Sequence, residues 1–152
     1  MEQVLISETD FQRARNKIRE AKKQQPDKVI VFTSNDDELN RKILEKEKID
    51  VLLLQLAGRR DKQKQRDSGF NQVMAKTAKK KNVSIGINLN EIINANIKEK
   101  TDILARVRQN IILCNKNKLK MSFFPEIKDK YDLKSLGLVL GMPTWMTKEF
   151  VK

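Results

Sequence analysis

VLLLQLAGRRDKQKQRDSGFNQVMAKTAKKKNVSIGINL (residues 51–89) decides the fold. An apolar run, Val51–Leu56, predicts a strand, and a second run, Val83–Leu89, predicts another. Between them a polar loop, GRRDKQKQRDSG (58–69), leads into a helix. Strand, helix, strand in this order is a βαβ unit, with parallel strands joined by a right-handed crossover. At 100° per residue the helix places Phe70, Val73, Met74, Thr77 and Ala78 on one face. Gln72, Lys76, Lys79 and Lys80 fall on the other. Docking the first face on the sheet sends the lysines to solvent whether or not they bind anything.

The alternation continues in both directions. Gln3–Ser7, Val29–Thr33 and Leu119–Phe124 read as further strands, mostly apolar, as expected of strands covered on both faces. A helix over 10–23 aligns Phe11, Ala14, Ile18 and Ala21, with Thr9 and Gln12 at capping-box spacing. A helix over 36–48 buries Leu39 and Ile43 behind a Ser34–Asn35 cap. A helix over 101–114 turns Ile103, Val107, Ile111 and Cys114 inward, with Arg106 and Gln109 facing out. A last helix over 132–140 stops at Gly141, two residues before Pro143. Five β-α units without a Gly/Ser linker predict one α/β domain over residues 1–152.

The net charge is +12, and it is unevenly placed. Residues 1–58 carry 11 basic and 11 acidic side chains, residues 59–81 nine and two, and residues 98–120 seven and two. Two segments therefore hold the imbalance, which points to a polyanionic partner, or else to lysine-rich solvated faces. No apolar run approaches the length of a membrane span, and MEQVLISETD lacks the basic and apolar regions of a signal peptide. One cysteine, Cys114, excludes an internal disulfide, and a reducing, cytoplasmic setting is the simplest expectation.

There is no histidine, so no imidazole is available as base, metal ligand or triad member. Cys114 reads as a buried structural thiol. The five glycines form no phosphate-binding motif. Asp36, Asp37 and Glu38 stand where a helix starts, where acids suit the helix dipole without any catalytic role. The positive case lies in the loop 58–69. Loops after strand C-termini line the functional edge of parallel α/β folds. Arg59, Arg60 and Arg66 can grip phosphates bidentately, and Lys62 and Lys64 can act as point charges. The same loop read as a solvated turn needs only a local Arg66–Asp67 pair. Phe11, Phe32, Phe70, Phe123 and Phe124 read as core, so backbone and shape recognition is favoured over base stacking.

Arg66–Asp67–Ser68–Gly69, then Val73, Ala75, Lys76, Lys80–Lys81–Asn82–Val83 and Asn88–Leu89, resemble the archaeal and eukaryal ribonuclease P protein component 3 family. DLKSLGLVLGM (132–142) resembles the family's final helix, and the likeness spans roughly Val4 to Met142. The resemblance implies a partial TIM-barrel-like, PHP-like fold related to metal-dependent phosphoesterases but without their metal site. It implies a non-catalytic RNA-binding subunit of ribonuclease P, with no catalytic residue or cofactor of its own and with Mg2+ used by the RNA subunit. The implied partners are ribonuclease P RNA, precursor tRNA and a small ferredoxin-like protein, with no membrane. The implied process is endoribonucleolytic 5′ maturation of tRNA by the RNA. Family RNA contacts carry over to Arg66, with Arg59 or Arg60 as alternates, and to Lys81 and Lys128; Lys76 matches the lysine of the V-x-A-K helix. With the solvent-facing Lys80, these are the expected RNA-binding residues. Two departures stand out. About two β-α units usual in the family do not precede Gln3, so either the barrel is N-terminally shortened, or another chain covers the gap, or the true start lies upstream; and the family's acid–imidazole pair is replaced by Asn71–Gln72, with Lys62–Gln65 as an insertion. Two other readings compete: a general basic scaffold of another ribonucleoprotein, and a small barrel enzyme acting on a phosphorylated metabolite through Arg59, Arg60 and Lys81.

Overall fold

Alternate residues of each strand divide between two environments, and that division sets the architecture. The computed structural model describes residues 2–125 and 129–152. Its strands are β1 (Gln3–Ser7), β2 (Val29–Ser34), β3 (Val51–Leu54), β4 (Ser84–Asn88) and β5 (Met121–Phe124). They pair in parallel in the order β1-β2-β3-β4-β5. Its helices are α1 (Phe11–Gln24), α2 (Asp37–Lys46), α3 (Gln72–Lys81), α4 (Leu89–Asn94), α5 (Ile97–Lys116), α6 (Lys130–Leu140) and α7 (Thr144–Thr147). A sequential parallel order with a helix between every pair of strands is the winding of a β/α barrel.

One set of strand side chains, including Ile6, Phe32, Leu52, Leu54, Ile85 and Phe123, packs with the helices in the main core. The alternate set, Val31, Val51 and Leu53 with Val29 and Phe124, forms a second cluster on the opposite face. The apolar strand runs therefore arise from two faces, but helices cover only one of them. Gly86 lies on the second face, where an added Cβ would come within 3.0 Å of Leu53 Cδ1 and 3.1 Å of Val51 Cγ1. Cys114 is buried in the main core, and desolvation pushes its thiol pKa up to about 12, which leaves it inert.

Several local expectations are corrected. The α1 cap is Asp10, whose carboxylate accepts from Arg13 N, in place of a Thr9–Gln12 box. The α2 cap is Asp36, which accepts from Glu38 N and Leu39 N, while Ser34 Oγ accepts from Asp36 N one step earlier. In α3 the buried stripe is Met74, Ala75 and Ala78, while Val73 is 66% exposed. Met74 and the two alanines fill the buried stripe, and that orientation of the helix leaves Val73 outward. Asn96 caps α5, which therefore starts at Ile97, four residues earlier than its apolar pattern indicates. Leu89 begins α4 instead of ending β4.

Gly86→Val is expected to destabilise the protein by about 1–3 kcal/mol through overpacking against Val51 and Leu53, with a smaller loss for Gly86→Ala. Urea unfolding followed by circular dichroism measures this.

Candidate nucleic-acid interface

The loop between β3 and α3 is held by arginines. Arg59 leaves the end of β3 and donates Nε–H to Gln55 O at 2.6 Å. Its Nη1 and Nη2 reach Asp37 Oδ2 and Oδ1 at 2.7 and 2.8 Å, and Nη1 also reaches Asp67 Oδ1 at 3.1 Å. Asp37 is the first residue of α2, so this bidentate pair staples the loop to a neighbouring helix. The guanidinium lies against Gly69, where an added Cβ would sit 2.4 Å from Nη2 and the backbone has φ +67°. Glycine is required there for both reasons.

Arg106 reaches the same loop from α5. It was expected to face solvent, yet it is 3% exposed. It donates to Leu56 O at 2.8 Å, to Arg59 O at 2.9 Å and to Asp61 Oδ1 at 3.2 Å. Asp61 also accepts from Asp67 N at 2.8 Å. That backbone donor, then Arg106, holds the Asp61 carboxyl below its ordinary pKa. Gln109 Nε2 donates to Arg66 O at 3.1 Å, and Asn110 Nδ2 to Ser68 O at 3.4 Å. From α4, Glu91 accepts from Leu56 N at 2.9 Å, and burial raises its carboxyl pKa.

The stapled loop walls a cavity of about 310 Å³ lined by Arg41, Arg60, Lys62 and Arg66 together with Asp37, Glu38 and Asp67. Each of these acids is already paired, Asp37 and Asp67 with Arg59 and Glu38 with Arg41. Arg66 keeps only a 3.8 Å contact with Asp61, and Arg60 and Lys62 make no ion pair among the described residues. Lys62 and Gln65 form a small antiparallel bridge, with N···O distances of 2.9 and 3.3 Å, whose tip presents Gln63 and Lys64. The cavity is thus left with surplus cations.

Lys76, Lys79 and Lys80 stand exposed along α3 and, with Thr77, line a shallow depression of about 390 Å³. Lys79 Nζ donates to Lys118 O at 3.0 Å, and Gln72 exchanges two 3.1 Å hydrogen bonds with Asn117. These contacts join the basic segments 59–81 and 98–120 into one surface. Of the residues expected to bind RNA, Arg60 and Arg66 line the loop cavity and Lys76 and Lys80 stand on the α3 part of this surface. Arg59 is an internal staple. Lys81 Nζ donates to Glu45 O and Glu47 O at 2.8 and 3.1 Å, capping the end of α2. Lys128 lies outside the described residues. Among the described residues no three carboxylate or thiol groups converge as a metal site would need.

The family model for RNase P subunit p30 matches residues 2–152. The chain belongs to that family. Ribonuclease P protein component 3 of Methanothermobacter thermautotrophicus is 24% identical over 139 residues, covering 91% of this chain and 54% of the relative. Its counterpart in Methanosarcina mazei is 26% identical over 107 residues, covering 70% and 42%. The chain spans about half the length of these curated relatives. A chain in the cryo-EM structure of archaeal ribonuclease P with mature tRNA superposes with a TM-score of 0.78 at 22% identity, over 98% of this chain and 63% of that one. The RNase P subunit p30 fold is therefore present in the five-stranded sheet described above.

Sequence reasoning missed Arg106 because an arginine was assumed to face water. The helical angle carried part of the signal: Asn110 falls beside Ile103, and Arg106 lies at the edge of the arc of Ile103, Val107 and Ile111, where the loop after β3 covers it. Arg106→Met is expected to cost about 3 kcal/mol, since it leaves two carbonyls and Asp61 without their donor. Arg106→Lys should recover only part of this, because one ammonium cannot reach all three acceptors. Thermal unfolding of both variants checks the order. Glu91→Gln should stabilise the fold at neutral pH, because a raised carboxyl pKa means ionisation is penalised in the folded state. That gain should vanish below the ordinary value of 4.5, where wild-type Glu91 is protonated in both states. Unfolding free energies at pH 4 and pH 7 read the difference.

Proposed function

We propose that this protein is a non-catalytic, RNA-binding subunit of ribonuclease P that assists RNA-catalysed 5′ maturation of precursor tRNA. The observation that carries the reading is the joining of two basic segments, distant in sequence, through Lys79–Lys118 and Gln72–Asn117, with Arg60, Lys62, Lys76, Lys79, Lys80, Lys116 and Lys118 making no ion pair among the described residues, in a member of the RNase P subunit p30 family. Each phosphate this surface neutralises releases condensed counterions, so affinity should fall steeply with salt. The reading includes ribonuclease P RNA and precursor tRNA as nucleic-acid partners. It also includes a small ferredoxin-like protein beside this one, and magnesium held by the RNA and not by this chain. An enzyme acting on a phosphorylated metabolite is not favoured. Every carboxylate lining the loop cavity is neutralised by an arginine, and the sequence offers no imidazole.

The test is reconstitution. The chain is mixed with ribonuclease P RNA and the ferredoxin-like protein, and precursor-tRNA cleavage is followed at low magnesium. Stimulation that requires this chain is the expected result; equal cleavage without it overturns the assignment. A triple variant, Arg60→Glu, Arg66→Glu and Lys80→Glu, avoids the staple Arg59 and the cap Lys81. It should keep its melting temperature and lower the slope of log affinity against log salt by about three. An unchanged slope would move the RNA contact off this surface.

A further inference from the structure

Helices α3, α5 and α6 close in the same way. Val83 N, Leu119 N and Met142 N donate to Ala78 O, Cys114 O and Gly137 O at 2.9, 2.8 and 2.9 Å. The residue before each donor takes the left-handed conformation: Asn82 at φ 58°, Lys118 at φ 57° and Gly141 at φ 104°. Glycine and asparagine adopt this conformation readily. Lysine does not, because its Cβ crowds the following carbonyl and it has no short polar group to bond locally. The chain therefore tolerates strain at Lys118 that it avoids at the two equivalent positions. An outlier of this kind points to a task for the side chain.

The Lys118 ammonium lies over the ring of Trp145, 5.5 Å from its centroid. Trp145 is the one tryptophan of the sequence. Its indole Nε1–H donates to Asn115 Oδ1 at 2.9 Å, which fixes the ring plane, and its remaining surface packs partly on the main core. The Lys118 carbonyl accepts from Lys79, so this corner continues the lysine surface of α3 without a break. Among the described residues neither Lys116 nor Lys118 pairs with a carboxylate, whereas nearby Lys120 reaches Glu149 at 3.7 Å.

We propose that Lys118 and Trp145 form a nucleotide subsite for single-stranded RNA at the end of the basic surface. The ammonium binds a phosphodiester, and the adjoining base stacks on the indole face that the ammonium covers in the free protein. An indole face that attracts a cation also stacks with a base, and the displaced ammonium gains a full negative charge in exchange. A fixed indole loses little freedom on binding, which suits it to this role. The inference rests on the RNA-binding reading above, but assigns the contact to residues that reading does not need.

The single tryptophan makes the test direct. The full chain is titrated with a single-stranded oligouridylate. Binding is followed by the anisotropy of a labelled oligonucleotide, and Trp145 emission is followed with the unlabelled one. Inorganic polyphosphate forms a second arm. RNA should quench Trp145, whereas polyphosphate should bind without comparable quenching. Trp145→Leu should weaken RNA binding about tenfold. Lys118→Gly should weaken RNA binding while the melting temperature holds or rises, because glycine relieves the left-handed position. RNA that binds with Trp145 emission unchanged, together with wild-type affinity in Lys118→Gly, overturns the subsite and leaves the RNA-binding reading standing. Equal quenching by polyphosphate overturns the stacking. No anisotropy change with any RNA overturns both readings.

Discussion

Arg106 carries five N–H donors into a position that is 3% exposed, and the acceptors it meets there all belong to the loop after β3. A buried guanidinium is tolerable only when it is nearly fully bonded, so the loop backbone must present Leu56 O, Arg59 O and Asp61 in one fixed arrangement. That requirement passes along the chain. Asp61, held by Arg106, receives Asp67 N, and Asp67 in turn receives Arg59. Arg59 then fastens the loop to the first turn of α2. A segment with almost no apolar side chains thus gains a defined shape from charge-assisted hydrogen bonds.

The same network sorts the charges. Interior arginines consume the carboxylates, and the cations left over are those with no inward route. Arg60, Lys62 and Arg66 line the cavity, while Lys76, Lys79 and Lys80 follow along α3, whose ten residues span about 15 Å. Neither set needs an attractive interaction with the fold to stay where it is. The loop is fixed by its backbone and α3 by its alanine face. The backbone that carries these cations is preorganised, while their unpaired side chains keep their rotamer freedom.

The β-α alternation was legible because five apolar runs at strand length can hardly be read otherwise, and the parallel order follows from the helices between them. The inward face of α5 was legible in Ile103, Val107 and Ile111 but not at Arg106, which lies at the edge of that arc and is buried only because the loop after β3 folds over it. Val73 was misread for the opposite reason. Valine and alanine both count as apolar, and only the way α3 packs between its neighbours decides that Ala75 is buried in its place. Lys81 could not be distinguished from Lys80 in sequence, since its capping of α2 depends on where that helix ends in space. The same holds for Arg59, which differs from Arg60 only through the position of Asp37, 22 residues away in sequence.

Charge balance along the chain acquires a direction once folded. Residues 1–58 sum to zero and supply β1, α1, β2 and α2, where Glu47 pairs with both Arg15 and Arg19 and Glu8 pairs with Lys17. The surplus lies on α3, on the loop before it and at the end of α5. Within a Debye length, about 8–10 Å at physiological salt, the balanced charges of residues 1–58 largely cancel and the surplus cations set the field. An approaching polyanion therefore meets a one-sided potential, which selects the orientation of encounter before any contact forms. Lys81 takes part in this even while bonded to α2, because donating to carbonyls leaves its charge in place. Its hydrogen bonds stabilise a helix end, and its charge remains part of the surplus. A cation can serve the scaffold and the ligand together only where its partners are neutral, and Lys81 meets that condition where Arg59, facing two carboxylates, does not.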